Sequence, residues 1–302
     1  MTVLTRAGYA ALLGRPNVGK STLLNRLIGQ KISITAPKPQ TTRHVILGIQ
    51  TLPEAQIVYV DTPGLHRHQD RRAMNRYLNR AATSVLGYVD VAVLLIEALR
   101  WTDEDRDVLQ RLAAFPGPVV LVINKADRIA DKARLLPFLQ EVAGRRGFTE
   151  VVPLSALKGD NVATLEQAIA RLLPVGDFLF PADQITTASE RFLAAELLRE
   201  KLTRLLRAEL PYALTVVIEH FVEEERLTRI HAVIWVERSS QKGIVIGEKG
   251  ATLREVGRQA RQDLERLLGR PVFLETWVKV RAGWSDDERA LRSLGYADSD
   301  ST

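Results

Sequence analysis

The chain has 302 residues, 46% of them hydrophobic and 26% charged, with a formal net charge of +6. That length suits about two packed domains, and the composition argues against long disorder. The absence of cysteine excludes disulfides, cysteine-ligated zinc and thiol nucleophiles, while the mild basic excess permits a nucleic-acid partner without requiring one.

In chain order, residues 9–13 read as a strand, followed by a glycine-rich loop and a helix over 20–28. Residues 45–50 and 57–60 read as paired strands. The apolar runs at 88–96, 119–123 and 151–154 have buried-strand lengths, and helical patterns fill 103–114, 131–143 and 162–173. Alternation of strands and helices predicts an α/β domain with a mixed, mostly parallel sheet covered on both faces. Pro174, Gly176 and Pro181 break the pattern, so 174–190 is expected as a linker. Beyond it the order is helix (190–209), two strands (212–221, 230–237), a short helix (241–246), a turn (247–250), a long helix (251–268) and a strand (271–280). This is a smaller α+β domain. The expected division is 1–173, linker 174–190, second domain 191–285 and tail 286–302, with a polar, frayed end. No apolar run approaches the roughly 18 residues of a membrane span, and the first residues lack a leader pattern. A soluble, cytoplasmic protein is expected.

Gly14-Arg15-Pro16-Asn17-Val18-Gly19-Lys20-Ser21 matches G-x-x-x-x-G-K-[ST] between a predicted strand and a predicted helix. Small residues let several backbone N–H groups face one anion, and the helix N-terminus adds positive potential. Lys20 is expected on the β- and γ-phosphates and the Ser21 hydroxyl on Mg²⁺; Thr22, next on the helix, is counted with the site. Asn124-Lys125-Ala126-Asp127 follows the strand 119–123, where ligands sit in open α/β sheets. The Asp127 carboxylate can accept from guanine N1–H and the exocyclic amine; adenine would leave it unpaired. Lys125 can lay its stem over the base, and Asn124 is expected to brace neighbouring loops. A backbone N–H of Ser155-Ala156-Leu157 is expected on the guanine carbonyl. Asp61-Thr62-Pro63-Gly64 ends another strand: Asp61 can reach Mg²⁺ through water, and the Gly64 N–H the γ-phosphate. In the polar loop around Gln40, Thr41 and Thr42, the two threonines both offer hydroxyls to the metal. The metal set is taken as Ser21, Thr42 and Asp61, with Thr41 the alternative to Thr42; the catalytic set is Asn17, Lys20, Asp61 and Gly64.

These residues, in this order, resemble the translation-factor-related GTPases. The resemblance implies two switch loops, at 31–44 and 62–84, that respond to the γ-phosphate. Leu65 stands where Ras-type enzymes carry the Gln that orients water. Relatives with that replacement share Asn17, and there K⁺ held by the asparagine supplies positive charge. Arg15 and Arg43 are alternative charge donors, with surface arginine the plainer reading of both. In the second domain, Gly247-Glu248-Lys249-Gly250 joins two helices in an order that resembles a KH domain with N-terminal extra elements. Its Gly-x-x-Gly would let backbone approach phosphates, with Lys249 pairing one, Ile244 and Ile246 lining a base groove, and Arg254, Arg258 and Arg261 along the following helix.

With Pro16-Asn17, the run Gln40 to His44 and Trp284-Ser285-Asp286-Asp287-Glu288, the chain resembles the Era GTPases of bacteria over essentially its whole length. That implies binding near the 3′ end of small-subunit rRNA, a role in small ribosomal subunit assembly and, in some members, a loose membrane contact; GTP and GDP are the expected ligands and a monomer the expected state. The alternative is a GTPase switch whose second domain binds protein. An ATP-using P-loop enzyme, opposed by Asn124 and Asp127, and an RNA binder with a relic nucleotide domain, opposed by Lys20, Ser21 and Asp61, are the remaining rivals.

Overall fold

The computed structural model describes residues 4–38, 40–64, 73–206, 210–294 and 296. Its contacts divide the chain into two compact units.

The first unit is built on a six-stranded sheet in the order β2-β3-β1-β4-β5-β6. The strands are β1 (Arg6–Leu13), β2 (Ile46–Thr51), β3 (Ala55–Asp61), β4 (Val91–Glu97), β5 (Val119–Asn124) and β6 (Glu150–Pro153). Only β2 runs antiparallel, against β3. Its helices are α1 (Lys20–Ile28), the part of α2 (Ala73–Ser84) from Leu78 onward, α3 (Asp103–Arg111), α4 (Leu135–Ala143) and α5 (Val162–Leu172). Strands β3 and β5 are buried along their whole length, which is why residues 57–60 and 119–123 within them are apolar. The register pairs Leu12 with Asp61, Glu97 with Asn124, and Ile123 with Pro153. The carboxyl ends of the parallel strands therefore share one edge, and the loops expected to bind nucleotide after β1, β3, β5 and β6 leave from it.

Residues 174–187, expected as a linker, hold no helix but are fastened to this unit. Ala7 N–H donates to Pro174 O (3.1 Å), Gly176 N–H to Thr5 O (3.1 Å) and Ile49 N–H to Ile185 O (2.8 Å). The buried Gln56 amide oxygen accepts from the N–H groups of Leu179 and Phe180 at 2.8 and 2.9 Å. Backbone pairing that has no periodic side-chain pattern leaves little trace in sequence.

The second unit comprises residues 188–302 with 34–41 and 71–77. Strands β7 (Leu214–Glu223), β8 (Thr228–Val236) and β9 (Val272–Val280) form its sheet, antiparallel then parallel. Helices α6 (Glu190–Leu205), α7 (Ser239–Ile246) and α8 (Ala251–Leu268) cover it. The core joins Leu197, Leu198 and Leu202 of α6, Val256, Ala260 and Leu264 of α8, and Ile230, Ile234 and Val272 of the sheet. Arg199 of α6, itself paired with Glu196, donates to the carbonyl of Thr41, and Arg204 donates to that of Thr35 (2.9 and 2.7 Å). The helix expected over 190–209 ends at Leu205, and residues 207–209 lie outside the described residues. Two helices escape the periodicity argument: α2, read only as part of a switch loop, and α9 (Glu288–Ser293), read as tail. Trp284 is wholly buried there and donates to Ala213 O (3.3 Å), while the Tyr296 hydroxyl pairs with Thr215 (2.9 Å). No helix among the described residues is long and apolar enough to cross a membrane.

Candidate nucleotide site and nucleic-acid groove

The loop from Gly14 to Gly19 joins β1 to α1 through three left-handed residues, Gly14, Asn17 and Gly19. At Gly14 a Cβ would sit 2.6 Å from the Leu95 carbonyl oxygen; at Gly19 it would collide with the Asn124 amide. Those two positions admit no side chain. Lys20, buried, donates to the carbonyls of Gly14 (2.9 Å) and Arg15 (3.1 Å), curling the loop around its ammonium. Burial pushes its pKa down to about 8, against the pull of Asp61. Gly64 lies against this loop, where a Cβ would meet Pro16 at 2.9 Å. Leu65 lies outside the described residues.

Ser21, Thr42 and Asp61 converge. The Ser21 hydroxyl lies 2.8 Å from the Thr42 hydroxyl and donates to Asp61 Oδ2 at 2.7 Å. Ser33, which the sequence reading missed, donates to the same oxygen at 2.9 Å and is placed by Asn25, whose side chain accepts its N–H. Asp61 is fully buried, and its Oδ1 has no hydrogen-bond partner. Burial raises its pKa above the ordinary value, the serine hydroxyls and Lys20 only partly offsetting this. A buried carboxylate oxygen without a partner, beside two hydroxyls, fits a hard divalent cation. Thr41 is turned away, its hydroxyl donating to Lys38 O at 2.6 Å, so of the two threonines only Thr42 faces this cluster. Thr62 donates to Leu12 O (2.9 Å) and fixes the loop that follows β3.

Asn124 is the brace expected of it. Its amide donates to Val18 O (2.8 Å), and its oxygen accepts from the N–H groups of Lys125 (2.7 Å) and Ala156 (3.0 Å). Ser155 N–H is taken by Asp160 O (3.0 Å), so a guanine carbonyl would share the Ala156 N–H or take that of Leu157. The Ser155 hydroxyl, bonded to Asp127, holds that carboxyl below the usual carboxylate range, keeping it an acceptor. Arg15 and Arg43 are not surface groups: they are 6% and 1% exposed. Arg15 is anchored on Glu97 at 2.7 Å and Asp105 at 3.3 Å, which removes its guanidinium as a charge donor to a phosphate.

In the second unit, α7 meets α8 at Gly247 to Gly250. Gly247 is left-handed, and a Cβ there would meet that of Thr252 at 2.8 Å; at Gly250 a Cβ would meet open space. Lys249 is left-handed as well, and within the turn the Gly250 N–H donates to Gly247 O at 3.1 Å. Next to it lies a groove of about 460 Å³ between α8 and β9, lined by Leu253, Arg254, Arg258, Arg261, Leu274 and Thr276 among others. The arginines of α8 thus line the groove, whereas Ile246 packs against the core and Ile244, 57% exposed, lies outside the lining. The apolar lining comes instead from Leu253 and Leu274, which sequence could not separate from core positions.

A mostly parallel sheet that gathers a phosphate loop, a buried acidic and hydroxyl cluster and an Asn-Lys-x-Asp loop along one edge is the arrangement of a P-loop GTPase. The mixed sheet with helices meeting at Gly-x-x-Gly is that of a KH domain. Comparison with known proteins agrees: residues 9–125 match the family described as 50S ribosome-binding GTPase, and residues 209–285 match the KH domain. GTPase Era of Azotobacter vinelandii is 55% identical over 97% of this chain and 98% of its own length; that of Ectopseudomonas mendocina is 54% identical over 98% of both. Two solved structures superpose with a TM-score of 0.94 at 41% identity, over 97% of this chain and all of theirs. They are a tyrosine-to-alanine variant of Aquifex aeolicus Era bound to GDP·AlF₄⁻, and Era in complex with MgGDPNP and nucleotides 1506–1542 of 16S ribosomal RNA. The chain belongs to the Era GTPase family and is a GTPase with a KH domain.

Proposed function

We propose that this chain binds Mg²⁺ and GTP at the edge of its first sheet and single-stranded ribosomal RNA in the α8–β9 groove, acting as a switch in small-subunit assembly. The observation that carries the nucleotide half is the unpartnered, buried Oδ1 of Asp61 beside Ser21 and Thr42. Ser21 and Thr42 would hold the metal directly and Asp61 through water; when bound, Mg²⁺ supplies positive charge to the β- and γ-phosphates. Lys20 leaves the carbonyls of Gly14 and Arg15 for the phosphates, and the Gly64 N–H faces the γ-phosphate. Asp127 accepts from the guanine edge, Lys125 covers the base, and Asn124 keeps both loops in register. Asn17, at the outer rim of the loop, is the K⁺ ligand in this reading, K⁺ replacing an arginine finger. The RNA half is supported by the open turn at Gly250, by Lys249 and by the arginines lining the groove, and by the RNA held in a relative of the same fold.

The switch needs the second unit to feel the first loop. Supporting this, Thr42 faces Asp61 while its neighbour Thr41 is held by the buried Arg199 of α6. A shift of Thr42 on loss of the γ-phosphate therefore pulls on a carbonyl anchored in the second unit. The test is titration of the full chain with an RNA oligonucleotide from the small-subunit 3′ end, once with GDP and once with a non-hydrolysable GTP analogue, at one salt concentration. RNA affinity should differ between the two by a factor of roughly 5–150. Gly250→Asp, whose side chain meets open space but whose left-handed backbone (φ 79°) strains any non-glycine residue, is checked for folding by thermal melting and should weaken both. Equal dissociation constants would remove the coupling, and RNA binding unchanged in Gly250→Asp would move the RNA elsewhere or favour a protein partner.

A further inference from the structure

Glu97 ends β4 opposite Asn124, the residue that ends β5. Its carboxylate is a meeting point for cations from separate loops. Oε2 accepts from Arg15 Nη2 of the phosphate loop at 2.7 Å and lies 3.2 Å from Lys125 Nζ of the Asn-Lys-x-Asp loop. Arg100 and Arg128 stand farther off, at 3.8 and 3.9 Å. Arg15 is held from its other side by Asp105 (3.3 Å), a fully buried residue whose second oxygen accepts from the Thr102 N–H (2.9 Å) and hydroxyl (2.8 Å) at the start of α3. The Arg15 carbonyl in turn accepts from Lys20. One carboxylate thus connects the loop expected around the phosphates to the lysine expected over the base. Lys125 has left-handed backbone (φ 64°), a conformation costly for a non-glycine residue unless its surroundings hold it there. The Ala98 N–H donates to the Asn124 carbonyl at 2.9 Å and ties the residue after Glu97 to the same loop.

We propose that Glu97 is a positioning residue for guanine nucleotide: it holds Arg15 and Lys125 to one anchor, so that the phosphate loop and the base loop are set at a fixed separation before the nucleotide arrives. A nucleotide bridging the two loops gains because both halves are already ordered. Burial alone would raise the Glu97 carboxyl, but the Arg15 hydrogen bond and the Lys125 ammonium overcome this and hold it below the usual carboxylate range, so the anchor stays ionised at neutral pH.

The proposal rests on the nucleotide-site reading above, and the experiment separates the two. The GDP dissociation constant of the full chain is measured for wild type, Glu97→Gln, Lys125→Met, the double variant and Asp127→Asn, with thermal melting of each. Glu97→Gln should weaken GDP binding on the order of tenfold, the loss expected of one charge-assisted contact. The same substitution made on Lys125→Met should weaken it clearly less than on wild type, because the anchor then has one loop fewer to hold. Equal effects in both backgrounds would make Glu97 merely structural and overturn the proposal, as would an unchanged dissociation constant in Glu97→Gln while Asp127→Asn loses GDP. If Asp127→Asn also binds GDP normally, the site reading itself fails. Where Glu97→Gln does not fold, Glu97→Asp enters the same cycle with the same non-additivity expected.

Discussion

Replacing Asp61 by asparagine should stabilise the empty protein while removing its response to metal. Asp61 Oδ1 is buried without a partner, and Oδ2 accepts from Ser21 and Ser33. Asparagine preserves the volume and leaves an acceptor for the hydroxyls, but removes the buried charge. The asparagine amide is itself unpartnered but neutral, so what is relieved is the extra cost of burying a charge, on the order of 1–3 kcal/mol. The nucleotide-free variant should therefore be about 1–3 kcal/mol more stable, and at roughly 2–4 °C per kcal/mol in a domain of this size its melting temperature should rise by about 2–12 °C. The sign with pH follows from burial raising the folded pKa above the ordinary 3.8. The cost is fully present above the folded pKa and fades as pH falls toward and below the unfolded value, so the variant's advantage should shrink in acid. With GDP present, wild type should gain about 2.7 kcal/mol from Mg²⁺ at a hundred times its dissociation constant, and Asp61→Asn should lose most of that gain. Thermal melting of both proteins, with and without GDP and Mg²⁺, supplies all four comparisons. An empty variant no more stable than wild type, melting with an undiminished Mg²⁺ response, would refute the assignment of this cluster as the metal site.

Three further outcomes follow from the same geometry. Asp127→Asn should exchange an acceptor for a donor and turn preference from guanine toward xanthine nucleotides, measured by competition; unchanged GTP affinity would rule out Asp127 as the base reader. GTP turnover at constant Mg²⁺ should be faster in K⁺ than in Na⁺, and Asn17→Ala should abolish the difference; equal wild-type rates would take Asn17 out of the mechanism. Because Lys20 sits near pKa 8 in the empty site and phosphate oxygens would raise it, nucleotide binding at pH 8.5 should take up a substantial fraction of a proton, and almost none at pH 6.5. Calorimetry in two buffers of different ionisation enthalpy measures this, and an uptake independent of pH would show that Lys20 does not meet the phosphates.

The parts of this protein legible in sequence are those in which chemistry is local. Gly14 to Ser21 form a phosphate loop because consecutive residues supply its curl, its cation and its hydroxyl, and the strands β3, β4 and β5 announce themselves by unbroken apolar runs. Asn124 and Asp127 follow a strand closely enough for position to imply role. Tertiary structure decided what depends on partners distant in the chain. It chose Thr42 over Thr41 by turning only one hydroxyl toward Ser21. It brought in Ser33, whose importance comes wholly from Asp61 lying beside it. It buried Arg15 and Arg43, for which composition favours the surface, because Glu97 and Asp105 arrive from other loops to pair Arg15. It also gave the groove its walls: Leu253 and Leu274 stand on different elements and share a periodicity with the core, so only the packing of α8 against β9 exposes them to a ligand. Local pattern records what a residue prefers; the burial of a charge and the facing of two side chains across a fold are energies of pairs, and sequence order does not say which pairs will meet.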